Sequence, residues 1–344
     1  MRQMSFSKNR RREKAVNTSD VPAVSTHLGL IDRLGRWRVR WGIGRNRYRV
    51  PPGLYRVGTP DPSSPVLVTA NYKLSFDALR SELQGVDAWV LVLDTMGVNV
   101  WCAAGKGTFG TDELVRQVET TGLAEVVSHR KLVAPQLGAP GVAAHEVRRI
   151  CGFKVVYGPV RARDIPAFLE SGMRATDDMR RVTFSLGDRV EVVGVELAWV
   201  VKWVVPIVAV MVLLAGGESI LDRTRTGMLT SSPILAGVLA GVVLVPIFLP
   251  WIPGRALSLK GAILGAIVVG AVLALTPGVH SVAASIQVFL LGTAVASFLA
   301  MQFTGATTFT SPSGVEWEMR RALPLQIGAA VIAGGIAVVR IFGG

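Results

Sequence analysis

Five long apolar segments in the second half of the chain constrain what it can fold into. They cover roughly residues 197–214, 233–251, 257–275, 282–303 and 322–342. Each approaches the ~20 residues that a helix needs to cross about 30 Å of hydrocarbon, and charge, proline or glycine bounds each one. A very apolar soluble core is the alternative. Five such segments in succession favour an all-α membrane domain of five transmembrane helices over residues 196–344.

The distribution of charge divides the chain at the same place. Residues 1–195 carry 29 Lys and Arg against 19 Asp and Glu, whereas residues 196–344 carry 8 against 5. The opening residues MRQMSFSKNRRREK lack the apolar core of a signal peptide, so we expect the basic half to stay in the cytoplasm. An odd number of spans then predicts a multi-pass protein of the cell inner (cytoplasmic) membrane with its C-terminus outside.

Small residues recur at helical spacing in two of the predicted spans. Gly237 and Gly241 lie four residues apart, as do Gly261 and Gly265. This spacing brings small residues onto one face of a helix, where they allow another helix to approach closely. We therefore expect both faces to be helix contacts within the membrane domain.

Residues 1–50 form a basic, polar region with scattered aromatic residues. The segment RLGRWRVRWGIGRNRYRV (33–50) alternates Arg with Trp, Val and Tyr. No nucleic-acid motif accompanies it, so we interpret the region as a basic tail with a membrane-surface segment that contacts anionic lipid. A disordered, solvated tail is the alternative.

An alternation of strands and helices follows between Val66 and Ser171. Apolar strands are predicted at 66–70, 88–94, 131–136 and 153–158, and helices at 75–83, 111–122, 142–151 and 162–171. Ser75 and Thr111 are the expected N-caps, and Gly122 is the expected stop. The pattern predicts an α/β domain over residues 51–175 with a parallel sheet covered on both faces. Residues 176–195 are the expected linker to the membrane domain.

The octet NVWCAAGK (99–106) lies just beyond the second predicted strand, which ends at Asp94. Ligands of open α/β sheets bind beyond the carboxyl ends of the strands. Asn99 is expected to cap a short helix and Gly105 to end it, with Cys102 carried on that single turn above the sheet. The small side chains of Ala103 and Ala104 would let a flat molecule approach this helix.

Cys102 is one of two cysteines, and several chemistries are open to it. A disulfide with Cys151 is disfavoured in the cytoplasm, whereas a buried, inert thiol is a common state of a lone cysteine. A nucleophile needs a base, and His129 and His145 belong to no recognisable signature with it. A phosphate-binding loop would need glycine at 100 and Ser or Thr at 107, and zinc or iron–sulfur sites need several cysteines. A single thiolate can also be the axial ligand of a metal held in a macrocycle.

Four segments resemble known corrinoid proteins. The stretch NVWCAAGKGTFGTDEL (99–114) resembles the cap-helix motif of the membrane-bound corrinoid proteins of bacterial and archaeal mercury methylation. The segments VTANYKLSFDALR (68–80) and YGPVRARDIP (157–166) resemble the same family and the larger corrinoid iron–sulfur proteins of acetyl-CoA synthesis. The stretch FTGATTFTSPSGVEWEMR (303–320) resembles the latter as well. Five membrane spans after the α/β region also match the architecture of the mercury-methylating family.

The resemblance implies a Rossmann-like corrinoid-binding domain that holds a cobalamin-type cofactor base-off. Cys102 would be the lower axial ligand of cobalt, and Asn99 would begin the cap helix. Thr69 matches a family threonine close to the cofactor. The other cap-helix positions that would shape the site beneath the corrin are Val100, Trp101, Ala103, Ala104, Gly105 and Lys106. Histidine ligation through Asp-x-His-x-x-Gly is disfavoured, because His27, His129, His145 and His280 all lie outside that pattern.

The activity implied by the resemblance is methyl transfer from methyl-cobalt(III) cobalamin to inorganic Hg(II), forming methylmercury. A methyl-folate route would supply the methyl group. No iron–sulfur cluster is expected in this chain, so a ferredoxin-like partner with two such clusters would donate electrons. The alternatives are a corrinoid methyl carrier for carbon metabolism or another metalloid, a membrane-anchored cofactor-binding protein without catalysis, and a transporter. The centres of the spans hold almost no ionisable groups, which disfavours transport.

Overall fold

The computed structural model describes residues 20–276, 281–303 and 312–342. The chain divides into an α/β unit, which runs to Val39 and continues over Gly44–Arg181, and a membrane unit of Arg40–Ile43 and Val182–Gly344. Predictions for residues 1–19, for His280 and for residues 304–311 lie outside the described residues.

A five-stranded mixed sheet forms the centre of the α/β unit, in the order β1-β3-β2-β4-β5. Its strands are β1 (Gly53–Val57), β2 (Val66–Ala70), β3 (Ala88–Leu93), β4 (Lys131–Ala134) and β5 (Lys154–Tyr157). Strands β2 to β5 pair in parallel, and they occupy the four predicted strand positions. Every residue of β2 and β3 is buried, which explains why these strands are apolar throughout.

The prediction of a wholly parallel sheet is wrong at one edge. Strand β1 pairs antiparallel with β3, with Gly53 opposite Val92 and Val57 opposite Ala88. An edge strand is not covered as a central strand is, and GLYRV contains no continuous apolar run that would distinguish it from a turn. The preceding prolines at 51 and 52 indicated a break in the chain rather than a strand.

Helices cover both faces of the sheet. In chain order they are α1 (Leu30–Arg40), α2 (Lys73–Ser81), α3 (Val100–Lys106), α4 (Thr111–Thr120), α5 (Leu123–Val126), α6 (Ala144–Cys151), α7 (Ile165–Glu170) and α8 (Asp177–Arg180). One core cluster joins Val66 and Val68 of β2 to α3, α4 and α6. The other joins Leu67 to α2 and α7 on the opposite face.

The predicted ends of two helices need correction. Helix α2 begins at Lys73, and the N-cap is Tyr72 rather than Ser75. Helix α4 has Gly110 as its N-cap, because the hydroxyl of Thr111 accepts a hydrogen bond from the distant backbone amide of Ala143 at 2.9 Å. It ends at Thr120, and Gly122 instead precedes α5. Neither N-cap residue accepts a hydrogen bond with its side chain, so both predicted side-chain caps are wrong.

Five helices of the membrane unit are long and apolar enough to cross a bilayer, as the sequence predicts. They are α9 (Leu186–Leu214), α10 (Ile220–Val238), which continues through a π-helical turn (Leu239–Leu244) into α11 (Val245–Phe248), and then α12 (Leu257–Leu275), α13 (Val282–Gln302) and α14 (Pro312–Phe342). Helix α9 begins inside the expected linker, where Ser185 and Asp188 form a reciprocal capping box.

The glycines of both pairs, in the segments 237–241 and 261–265, lie against the same helix, α13. A Cβ atom on Gly237 would lie 2.5 Å from the carbonyl oxygen of Gly292, and one on Gly241 would lie 2.6 Å from that of Ala296. On α12, a Cβ at Gly261 would lie 2.5 Å from the same Ala296 oxygen. Both faces therefore pack against α13, as close approach through glycine requires.

Candidate functional site

Asn71 and Thr95 shape the carboxyl edge of the sheet. Asn71 follows β2, and its side-chain amide donates to the carboxylate of Asp94 at 2.9 Å. Its oxygen accepts hydrogen bonds from the backbone amides of Thr95 and Gly97. Both side chains are buried, so these bonds form in a setting where an unpaired polar group would be costly. They fix the turn that leads from β3 towards α3.

The turn itself has an unusual backbone. Met96 and Gly97 adopt positive φ values of 57° and 74°, although a side chain disfavours that region. The Met96 side chain is exposed, and its amide donates to the Asp94 carboxylate at 3.1 Å. The Thr95 hydroxyl donates to the carbonyl of Val98, which closes the turn immediately before Asn99.

Asn99 caps α3, as the sequence predicts. Its side-chain oxygen accepts a hydrogen bond from the backbone amide of Cys102 at 2.8 Å. The helix runs through Gly105 to Lys106, so the expected end at Gly105 is wrong. Gly107, at φ 81°, is the C-cap, because glycine adopts this left-handed conformation readily.

The two cysteines have different surroundings, and both are free thiols. The Cys151 thiol donates to the carbonyl of Val147 at 3.2 Å and packs against the main core cluster. The Cys102 thiol is half-buried, and within the described part of the chain no group hydrogen-bonds to its sulfur. Its position combines a fixed backbone with a sulfur that retains access to a ligand.

The remaining octet residues divide between the core and the surface. Ala103 and Ala104 are buried against the domain core, and a Cβ at Gly141 would lie only 3.0 Å from the Cα of Ala104. Their small size is therefore used for packing inside the unit. Gly105 and Lys106 are exposed, and a Cβ on Gly105 would meet no atom within 4 Å. Val100 and Trp101 are half-buried.

The structure separates Thr69 and the nearby histidines from this helix. By strand alternation Thr69 shares the face of Leu67, whereas α3 packs on the face of Val66 and Val68. His129 precedes β4 at the amino edge of the sheet, where its ring bonds to the carbonyl of Ser64 at 2.9 Å. His145 is exposed and lies 3.6 Å from Glu146. Neither histidine hydrogen-bonds to Cys102 in the described ranges.

The sequence alone identified neither Asn71 nor Thr95. Asn71 is the first residue after the buried strand β2. Thr95 is the second residue after the neighbouring strand β3. Polar residues at adjacent carboxyl ends are a usable signal, because parallel strands bring those ends to one edge. Within the described residues, no three His, Cys, Asp or Glu side chains are grouped as metal ligands.

The α/β unit is related to subunits of acetyl-CoA synthase complexes. Residues 44–169 match the family described as CO dehydrogenase/acetyl-CoA synthase delta subunit. The acetyl-CoA decarbonylase/synthase complex subunit gamma of Methanopyrus kandleri is 36% identical over 128 residues, covering 37% of this chain. The corresponding subunit of Archaeoglobus fulgidus is 35% identical over 128 residues, again 37% of the chain. The matched region spans 27% of the length of each of these two relatives.

Proposed function

We propose that the protein is a corrinoid-dependent methyltransferase that methylates Hg(II), with Cys102 as the lower axial ligand of cobalt. The observation that carries the proposal is the position of the Cys102 thiol. It is half-exposed on a capped helix beyond the carboxyl edge of the sheet, within the motif NVWCAAGK. The relation to subunits of acetyl-CoA decarbonylase/synthase complexes supports the methyl-transfer class.

The residues around Cys102 fit a metal ion that is held in a macrocycle. The Cys151 thiol has a hydrogen-bond acceptor in Val147, whereas no group among the described residues hydrogen-bonds to the Cys102 sulfur, although both residues are half-buried. The open space at Gly105 leaves the outer side of α3 free of side-chain bulk. A single soft sulfur donor suits a metal whose other ligands come from the macrocycle.

The contribution of the chain is to hold that sulfur in place. Ala103 and Ala104 anchor α3 in the core, and Asn71 fixes the turn before it. Asn99 satisfies the backbone amide of Cys102, so the ligand residue stays in the first turn of the helix. Trp101, Gly105 and Lys106 would contact the underside of the bound group.

The chemistry that a corrinoid held by Cys102 would supply is transfer of a methyl group with both bonding electrons to Hg(II), a soft electrophile, with cobalt left as Co(III). A ferredoxin-like partner with two iron–sulfur clusters would return the two electrons, and a methyl-folate route would renew the methyl group. The α/β unit would face the cytoplasm at the inner membrane, with the C-terminus outside.

The test uses the full-length protein in detergent, loaded with methylcobalamin and supplied with Hg(II). We expect methylmercury from the wild type and from the matched control Cys151→Ala. Cys102→Ala should fall to the level of the protein-free control, and its bound corrinoid should show altered visible absorption bands. Methylation by Cys102→Ala at the wild-type rate would refute the ligand assignment. A colourless wild-type protein would exclude the whole corrinoid class.

A methyl carrier for carbon metabolism is the second candidate. It is favoured by the names of the relatives, which are subunits of acetyl-CoA decarbonylase/synthase complexes. The same preparation separates the two functions when Hg(II) is replaced by a nickel-containing acetyl-CoA synthase preparation with CO and coenzyme A. Acetyl-CoA formation without methylmercury formation would favour this second candidate.

A further inference from the structure

Helix α1 has two faces of opposite character. Its sequence LIDRLGRWRVR places Asp32, Gly35 and Val39 on one side, at spacings of three and four residues. Leu30, Leu34 and Trp37 follow the same spacing on the other side. In a helix with 3.6 residues per turn, each set forms a continuous stripe. The two stripes are named here the inner face and the outer face.

The inner face is firmly attached to the α/β unit. The Asp32 carboxylate accepts hydrogen bonds from Lys73 at 2.6 Å and from Arg80 at 2.8 Å. Gly35 lies against the ring of Tyr48, since a Cβ there would be 2.5 Å from the Tyr48 hydroxyl. Val39 is buried. Helix α1 is therefore held in a fixed orientation, and its outer face points away from the unit.

The outer face exposes large apolar side chains. Leu30 is 78% exposed, Leu34 66% and Trp37 61%, and the adjoining Ile31 is 87% exposed. A contiguous apolar surface of this kind on a fixed element marks an interaction site. Val39 and Gly35 form the packing of α1 on the unit, while these side chains are mostly exposed to solvent.

Arginines border the apolar stripe. Arg33 and Arg38 are exposed beside it, and Arg45, Arg47 and Arg49 are exposed in the segment that follows. No acidic residue lies between Asp32 and Asp61 to offset them. Leu and Trp on one face with arginines beside them is the composition of helices that lie in the plane of a membrane interface.

We propose that α1 lies in the boundary between headgroups and acyl chains of an anionic bilayer, with its outer face towards the acyl chains. Charge complementarity favours an anionic bilayer as the partner of this face. Arg33 and Arg38 can contact lipid phosphates while the apolar outer face is buried among the acyl chains. The described residues also include five helices that are long and apolar enough to cross a membrane, so a bilayer is a natural occupant of this surface. A nucleic acid would use the arginines but leave Leu30, Leu34 and Trp37 in water. The proposal is independent of the corrinoid chemistry.

The test measures the depth of a spin label in the full-length protein in lipid nanodiscs. The label is placed by Leu34→Cys in a background carrying Cys102→Ser and Cys151→Ser. Gln84→Cys, in the exposed turn after α2, is the matched control. Power saturation compares accessibility to oxygen, which enters the bilayer, with accessibility to a water-soluble nickel chelate.

In discs of phosphatidylcholine and phosphatidylglycerol, the label at 34 should be several-fold more accessible to oxygen than to nickel. The label at 84 should show the reverse. Removing phosphatidylglycerol, or adding Arg33→Gln and Arg38→Gln, should lower the oxygen preference at 34. A nickel preference at 34 equal to that at 84 would overturn the proposal. Protection from both reagents would also overturn it, because a protein partner would then cover the outer face.

Discussion

The backbone amide of Cys102 donates to the side-chain oxygen of Asn99 at 2.8 Å, so the residue that begins α3 also fixes the backbone of the candidate cobalt ligand. The bond is local in sequence, because donor and acceptor are three positions apart. Its consequence is not local, because α3 is anchored at one end by this cap and along its length by Ala103 in the core. Loosening the cap should therefore change both stability and the ligand position.

Asn99→Ala should loosen α3 while leaving the remainder of the α/β unit folded. Loss of an N-cap costs about 1 kcal/mol, because the amides of the first turn lose their acceptor. We expect faster hydrogen exchange over residues 100–106 and weaker binding of methylcobalamin. Asn99→Ser keeps a capping oxygen and should restore both properties. Equal exchange in the alanine and serine variants would contradict the capping role.

Gly105→Ala should separate helix stability from cofactor binding. The new methyl group meets no atom within 4 Å, and alanine in a helix is about 0.5–1 kcal/mol more favourable than glycine. We expect slower exchange across α3 but a higher Kd for methylcobalamin, because the methyl group occupies space beside the thiol. The control Gly328→Ala also enters open space, on α14, and should leave the Kd unchanged. If Gly105→Ala binds methylcobalamin with the wild-type Kd, the cofactor does not lie beside α3.

Asp77→Asn should destabilise the α/β unit strongly. This carboxylate is fully buried and pairs with Lys73 at 2.8 Å and with Arg80 at 2.7 Å. The Asp32 carboxylate alone would then balance the two cations, and breaking a buried pair costs about 3 kcal/mol. Chemical unfolding of the full-length protein, followed by hydrogen exchange in β2 and α2, provides the measurement. Glu146→Gln removes an exposed pair with Arg149 and should have no measurable effect.

Acid should weaken the attachment of α1 through Asp32. Burial raises the pKa of this carboxyl, but hydrogen bonds from Lys73 and Arg80 outweigh it and lower the pKa from 3.8 to about 2. A depressed pKa in the folded state stabilises the fold above the unfolded value and loses that contribution as pH falls through about 2. Exchange over residues 30–39 should therefore accelerate between pH 4 and pH 2. Asp32→Asn should exchange rapidly at pH 6 and lose this acid-dependent acceleration.

Gly261→Leu should disrupt the membrane unit. A side chain there would enter the backbone and side chains of α13, with the Ala300 Cβ 2.6 Å from the new Cβ. The expected result is aggregation or a lower melting temperature of the protein in detergent, because packing replaces the hydrophobic effect between helices in lipid. Gly334→Leu, in open space on α14, should behave as the wild type. Equal melting temperatures for the two variants would contradict the close contact.

Several parts of the fold were predictable from the sequence for clear reasons. Strands β2 and β3 are buried on both faces, and this leaves a continuous apolar signature. The five helices that could cross a bilayer each contain a long apolar window, and such a window is visible in sequence because lipid offers no partner for polar groups. The cap of α3 was predictable because Asn99 and the Cys102 amide are three residues apart. Strand β1 was missed, because its antiparallel pairing with β3 joins residues about 35 positions apart and leaves no continuous pattern.

The sequence by itself determined properties that repeat along the chain or that involve residues within one helical turn of each other. These are the length of the apolar segments, the burial of the central strands, the cap of α3 and the octet around Cys102. The tertiary structure decided the rest. It placed Ala103 and Ala104 in the core, assigned Asn71 to hold the turn after β3, and set Thr69 and α3 on opposite faces of the sheet. These outcomes depend on which distant segments meet, and no local pattern of residues encodes a contact between segments that only folding brings together.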